Sequence, residues 1–186
     1  RVVKVKPQRL HLIQNGVDVP DSLANIKMNV PTSPVICTVG RLDPVKNQTL
    51  LLNAFKIMHD KSANARLKIV GDGPERVNLE REAAQLKVTQ FVDFMGYRED
   101  VREQLITSDV FVLSSHYEAM PMTILEAMAI GCPVVTTDVG GIRHFVDDTY
   151  VTYSSPGKAE ELAEHLLLSL QYLPEQQEKI KKSFEL

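Results

Sequence analysis

Five short runs of apolar, largely β-branched residues recur along this chain, and a longer stretch of helically spaced apolar residues follows most of them. The runs are Val35–Val39, Leu67–Val70, Phe91–Met95, Val110–Leu113 and Val134–Thr137, each bounded by Gly, Pro, Ser or Asp. Between the first two, Leu50, Leu51, Ala54, Phe55 and Met58 share one helical face, on a helix expected to begin soon after Pro44. Val77, Leu79, Ala83, Ala84 and Leu86 mark a second helix opened by Pro74 and Glu75, Val101 to Ile106 a third, and Thr123 to Ile130 a fourth. Two closing helices are expected, from about Lys158 to Leu173 and from Glu175 onward. In the latter, Glu175 with Lys179 and Glu178 with Lys182 form i,i+4 pairs suited to a solvated face. Strand–helix alternation demands an α/β fold, a doubly wound parallel sheet with helices on both faces. The first 30 residues are less regular, with Leu10–Gln14 a possible short strand before the turn Asn15-Gly16. The chain therefore divides into residues 1–30 as a connecting segment, 31–173 as the sheet domain and 174–186 as a terminal helix.

Composition narrows the function. Twenty-one basic against 24 acidic residues leave a net charge of −3, unlike the basic face of a nucleic-acid binder. No apolar stretch reaches the roughly 18 residues of a membrane span. The N-terminal RVVKVKPQR carries no apolar run after its basic residues, so it is not read as a signal peptide. The sequence begins without Met, and we expect it to be a piece of a longer chain. Cys37 and Cys132 stand far apart in apolar contexts, which predicts packed, reduced thiols and a cytoplasmic setting.

Parallel sheets bind ligands at the carboxyl ends of their strands, near a switch in strand order. Three strand-to-helix turns therefore matter. In the first, Val39 to Gln48, Gly40 permits a sharp turn while Arg41 and Lys46 stand between a strand end and a helix start. Cations there are disfavoured by the helix dipole unless an anion completes the site; ordinary surface cations offset by Asp43 are the alternative. In the second, Gly71 and Gly73 flank Asp72, as in many structural turns. Neither turn holds a dinucleotide or P-loop fingerprint.

The third turn, Ser114 to Val135, is the richest. Glu118 and Glu126 are separated by seven residues, so both carboxylates can approach one strand-end crevice. The intervening Ala119-Met120-Pro121-Met122-Thr123 sets backbone N–H groups at a helix start, where anions bind. Carboxylates accept hydrogen bonds from sugar hydroxyls; a helix-start carboxylate and a solvated loop carboxylate are the plain alternatives. Tyr97 and Arg98 could stack on a flat base or form a surface pair. Gly140-Gly141 reads as a turn, with close approach of a ligand as the alternative. The histidines show no metal-ligand spacing, and no metal site is expected.

In order, Asn15-Gly16-Val17-Asp18, Val39-Gly40-Arg41-Leu42 with Lys46, Leu67 to Pro74, Phe94-Met95-Gly96, Ser108 to Val112, Glu118 to Val135 and Gly140-Gly141 form a recognisable series. Over roughly residues 10–170 the chain resembles the C-terminal, donor-binding domain of retaining GT-B glycosyltransferases, the group typified by glycosyl transferases group 1 (family four). The paired glutamates followed by A-x-x-x-G-x-P-V-V are its most specific part. The resemblance implies a Rossmann-like half of a GT-B fold that binds a UDP-, GDP- or ADP-sugar without a cofactor or metal. Arg41 and Lys46 would hold the diphosphate and stabilise the leaving nucleotide, Glu126 the ribose, and Glu118 the transferred sugar. Gly40, Gly71, Tyr97 and the stretch Ala119 to Thr123 would line the donor. Ala119 and Met120 replace residues that many relatives fill with glycine or an aromatic, a difference that bears on donor-sugar choice.

The same resemblance implies an acceptor, whether sugar, lipid or other, bound by an N-terminal domain that these residues do not match. It leaves peripheral membrane association open for full-length relatives acting on lipids. Donor binding with little or no transfer is therefore expected of this chain alone. A nucleotide-sugar epimerase or sugar phosphorylase of the same architecture, or a non-catalytic nucleotide-binding module, are the rival readings.

Overall fold

A computed structural model of the chain describes residues 16–18, 32–61 and 64–171. The expectations for Leu10–Gln14, for the segment from Glu175 onward and for most of residues 1–30 lie outside these. Six parallel strands form one sheet: β1 (Val35–Val39), β2 (Arg66–Val70), β3 (Val92–Gly96), β4 (Val110–Leu113), β5 (Val134–Thr137) and β6 (Thr152–Ser154). Their order is β3-β2-β1-β4-β5-β6. The chain builds outward from β1 in one direction, then returns to add β4 on β1's other side. That reversal opens a crevice at the carboxyl ends of β1 and β4.

Side chains alternate across a strand, so a strand buried on both faces supplies two cores. Ile36, Val110, Val112 and Val135 join one apolar cluster with Leu51, Phe55, Leu162 and Leu166. These last four belong to α1 (Gln48–Lys61) and α5 (Ala159–Gln171), which pack together with α2 (Arg76–Gln85) over that face. Cys37, Val39, Phe111, Leu113 and Val134 point the other way, toward α3 (Val101–Ile106) and α4 (Met122–Ala129) through Leu105, Ile124 and Ala127. The doubly wound α/β architecture expected from the alternation is the one found.

The differences are local. The run Phe91–Met95 begins as a single 3-10 turn, Thr89–Phe91, and becomes a strand at Val92. β6 was not expected: three residues, two of them only half-buried, leave too short a pattern to read. In α2 only Leu79 and Ala83 are buried; Val77 is 63% exposed, because the helix is polar on most of its circumference. Helix α1 starts at Gln48, four residues after Pro44. Asp43 Oδ1 accepts the N–H groups of Val45 and Lys46, closing a separate turn, and Asn47 then takes φ +49°. That left-handed residue divides the turn from the helix.

Candidate functional site

Three loops converge where β1, β4 and β5 end. The β1–α1 loop is anchored to the loop after β4 by the Ser114 hydroxyl, which donates to the carbonyls of Lys46 and Asn47 at 3.1 and 3.0 Å. The His116 N–H donates to the Val45 carbonyl at 2.8 Å. From β5, Thr137 Oγ1 donates to the Ser115 carbonyl at 2.7 Å. The loop carrying Glu118 is thus fixed from both neighbouring strands.

Within this frame Lys46 reaches across the crevice and its Nζ donates to Glu118 Oε1 at 2.6 Å. The glutamate side chain is 7% exposed and the lysine side chain 26%. A second donor, Ser115 Oγ, bonds the same carboxylate oxygen at 2.5 Å. Arg41 stands at the rim with its side chain 71% exposed, its Nε 3.7 Å from Asp43 Oδ2. Its carbonyl is held by the buried Gln48, whose Nε2 donates to it at 3.0 Å.

The glycines of the second turn have a packing role. A β-carbon at Gly71 would lie 1.9 Å from the Gly40 carbonyl oxygen, and one at Gly73 would lie 2.3 Å from that of Leu42. They let the β2–α2 loop press on the β1–α1 loop and so support Arg41 from beneath. Gly140-Gly141 does the same to the third turn: a β-carbon at Gly141 would lie 2.5 Å from the Ala119 carbonyl oxygen. The Gly141 N–H donates to the Glu118 carbonyl at 2.9 Å.

Helix α4 begins after Pro121, which is extended at φ −74° and ψ 110°, and no side chain caps it. The Ile124 N–H donates to the Pro121 carbonyl at 3.2 Å, which leaves the N–H groups of Met122 and Thr123 for a ligand or water. Glu126, half-buried one turn further along, lines a cavity of about 430 Å³ with Met122, Ile130, Gly16, Val17, Asp18, Glu99, Val101 and Arg102. Glu118, Lys46 and Arg41 do not line it. The cavity lined by Glu126 is thus separate from the Lys46–Glu118 pair. Tyr97, following β3, is 76% exposed, while Arg98 is engaged by Asp100 through Nε at 2.7 Å and Nη2 at 2.6 Å. That fork holds the Asp100 carboxyl well below the usual carboxylate range.

Ser115 and the cavity residues Glu99 and Arg102 were absent from the residues singled out in the sequence, and Asp18 entered there only within the series Asn15-Gly16-Val17-Asp18. Ser115 stands three residues before Glu118, a spacing that could have flagged it. Glu99 and Arg102 look like ordinary surface charges until α3 is placed beside α4. Among the described residues no group of three or more His, Cys, Asp or Glu is placed to hold a metal ion, and no helix is long and apolar enough to cross a membrane.

Residues 23–184 match the family described as Glycosyl transferases group 1. The lipopolysaccharide core biosynthesis glycosyltransferase LpsE of Rhizobium meliloti is 37% identical over 123 residues, 66% of this chain and 35% of its own length. The UDP-Gal:alpha-D-GlcNAc-diphosphoundecaprenol alpha-1,3-galactosyltransferase of Escherichia coli is 31% identical over 161 residues, 78% of this chain and 41% of its own length. Among solved structures, WaaG, a glycosyltransferase involved in lipopolysaccharide biosynthesis, superposes with a TM-score of 0.79 at 25% identity, over 96% of this chain and 52% of that one. HepE of Anabaena, solved in complex with UDP, gives 0.75 at 24% identity, over 87% of this chain and 43% of that one. The chain spans about a third to two fifths of the length of these curated relatives.

Proposed function

Because this chain belongs to the family of glycosyl transferases group 1, we propose that it binds a nucleotide-diphosphate sugar and forms the donor half of a retaining glycosyltransferase. The observation that carries this reading is the meeting of Lys46 and Glu118 at 2.6 Å across the β1–β4 crevice. A mobile cation and a buried carboxylate, from loops far apart in sequence, stand where the strand order reverses.

In this reading the diphosphate draws Lys46 and the freely exposed Arg41, joined by the uncapped amides at the start of α4 and the stretch from Met120 to Met122. Cations and amides placed in advance offset the charge that develops on the leaving nucleotide. Glu126 takes the ribose hydroxyls in its cavity. Glu118 faces the transferred sugar and stabilises positive charge growing at the anomeric carbon, with the acceptor attacking from the face the nucleotide leaves. Charge neutralisation is assigned to Arg41, Lys46 and the amides, with no cofactor or metal. The acceptor belongs to the length that relatives have and this chain does not match. The reaction is placed in the cytoplasm.

Calorimetric titration of the chain with UDP, GDP and ADP, repeated on the Arg41→Ala/Lys46→Ala variant, tests the reading. Two charge-assisted contacts at about 1.5–3 kcal/mol each make up about 3–6 of the roughly 8 kcal/mol of a micromolar affinity, enough that their loss takes binding out of the measurable range. Binding of one nucleotide that disappears in the double variant is the expected result. Unchanged binding in the variant, or no binding by the wild type at millimolar nucleotide, overturns the donor role.

A further inference from the structure

Glu118 Oε1 carries two donors of different character. Lys46 Nζ, 2.6 Å away, ends a flexible stem whose side chain is 26% exposed. Ser115 Oγ, 2.5 Å away, belongs to a residue 1% exposed whose own carbonyl is held by Thr137 at 2.7 Å. One partner can leave and the other cannot. Oε2 takes no hydrogen bond from the described residues.

We propose that Ser115 is a positioning residue for Glu118, keeping the buried carboxylate partnered and aimed when Lys46 turns to a bound diphosphate. The inference rests on the donor-site reading above. A carboxylate with its side chain 7% exposed is costly to strip of its last partner. Without the serine hydroxyl, Oε1 would hold Lys46 more strongly, and releasing the lysine would leave the oxygen bare. Ser115 lowers that cost, so it acts on nucleotide affinity through Glu118 and needs no contact with the ligand.

The test is a cycle of four proteins, the wild-type chain, Ser115→Ala, Glu118→Gln and the double variant, titrated with UDP, GDP and ADP and compared with whichever nucleotide the wild type binds. Glu118→Gln releases Lys46 and is expected to tighten binding severalfold. Ser115→Ala is expected to weaken it about tenfold or more, the worth of one hydrogen bond to a charged group. The double variant is expected to match Glu118→Gln within about twofold, a cancellation that a packing role for Ser115 would not produce. Melting temperatures of all four report any change in folding. Should the alanine variant not fold, Ser115→Cys, which fills the space with a weaker donor, takes its place. The proposal is overturned if Ser115→Ala binds as the wild type does, if its loss persists in the Glu118→Gln background, or if Glu118→Gln weakens binding. Absence of nucleotide binding by the wild type overturns the donor-site reading itself, and this inference with it.

Discussion

Gly140 lies against the backbone of Glu118: a β-carbon on residue 140 would fall 1.9 Å from the Glu118 carbonyl oxygen, and Gly140 itself sits at φ +57°. Two separate constraints therefore select glycine. Gly140→Ala is expected to suffer both, the left-handed conformation at about 1–2 kcal/mol and a backbone clash that must displace the Glu118 loop. Gly157, at φ +75° with nothing within 4 Å of its missing β-carbon, suffers only the first. Urea unfolding should show Gly140→Ala losing clearly more stability than Gly157→Ala, and nucleotide titration should show binding impaired in the former alone. Equal losses would mean that the loop yields without consequence.

Glu126 lines the cavity of about 430 Å³ with no hydrogen bond or ion pair from another described side chain. Its removal therefore leaves no protein group unpaired. Glu126→Ala should leave the melting temperature nearly unchanged while weakening nucleotide binding about tenfold or more, the worth of a charge-assisted hydrogen bond. A 2′,3′-dideoxy nucleotide should bind wild type and variant alike, because it lacks the hydroxyls assigned to the carboxylate. A loss of the same size for both nucleotides would remove the ribose from Glu126's role.

The parallel sheet was legible because burial on both faces leaves near-continuous apolar runs, and β1, β4 and β5 match their runs residue for residue. β6 was not legible: its Tyr153 spends its hydroxyl on the Val146 carbonyl at 2.7 Å and its ring under Arg143, contacts that leave no periodic trace. At the site, Lys46 and Glu118 could each be chosen from their turns, yet their pairing depends on loop positions 72 residues apart. Ser115 escaped notice because a serine earns meaning only from the carboxylate it faces. The G-D-G turn shows a ligand-like pattern that also answers a packing demand, one loop pressing on another, which the sequence does not reveal.

Gln48 offers a test of how the Arg41 loop is held. Its Nε2 donates to the Arg41 carbonyl, and its Oε1 is buried without a partner. Gln48→Glu exchanges the donor for an oxygen facing that carbonyl and adds a buried charge. A destabilisation above about 2 kcal/mol is expected at neutral pH, easing in acid as the new carboxyl takes a proton and can donate again. Chemical unfolding at pH 7 and pH 5 measures it. A pH-independent loss would show that the amide fills space and does not hold the loop.

Cys37 connects burial to alkaline stability. Its thiol is fully enclosed in β1, and burial pushes it up to about 11, against smaller opposing effects from Ser108 and Lys68. An unfolded cysteine ionises near pH 8.5. Above that pH the unfolded chain releases its proton while the folded chain retains it, so stability is full below about pH 8.5 and falls as pH climbs toward 11. The gap between 8.5 and about 11 corresponds to a total of about 3 kcal/mol. Cys37→Ala should begin less stable because of the cavity it leaves, by about 1–2 kcal/mol. Between pH 8.5 and 11 its stability should then fall less steeply than that of the wild type, so that the two curves converge and then cross. Tyr153, whose hydroxyl burial raises to about 12, titrates in both proteins and cancels from the difference. Urea unfolding at a series of alkaline pH values supplies both curves; parallel curves would mean that the Cys37 thiol ionises as readily in the folded chain as in the unfolded one.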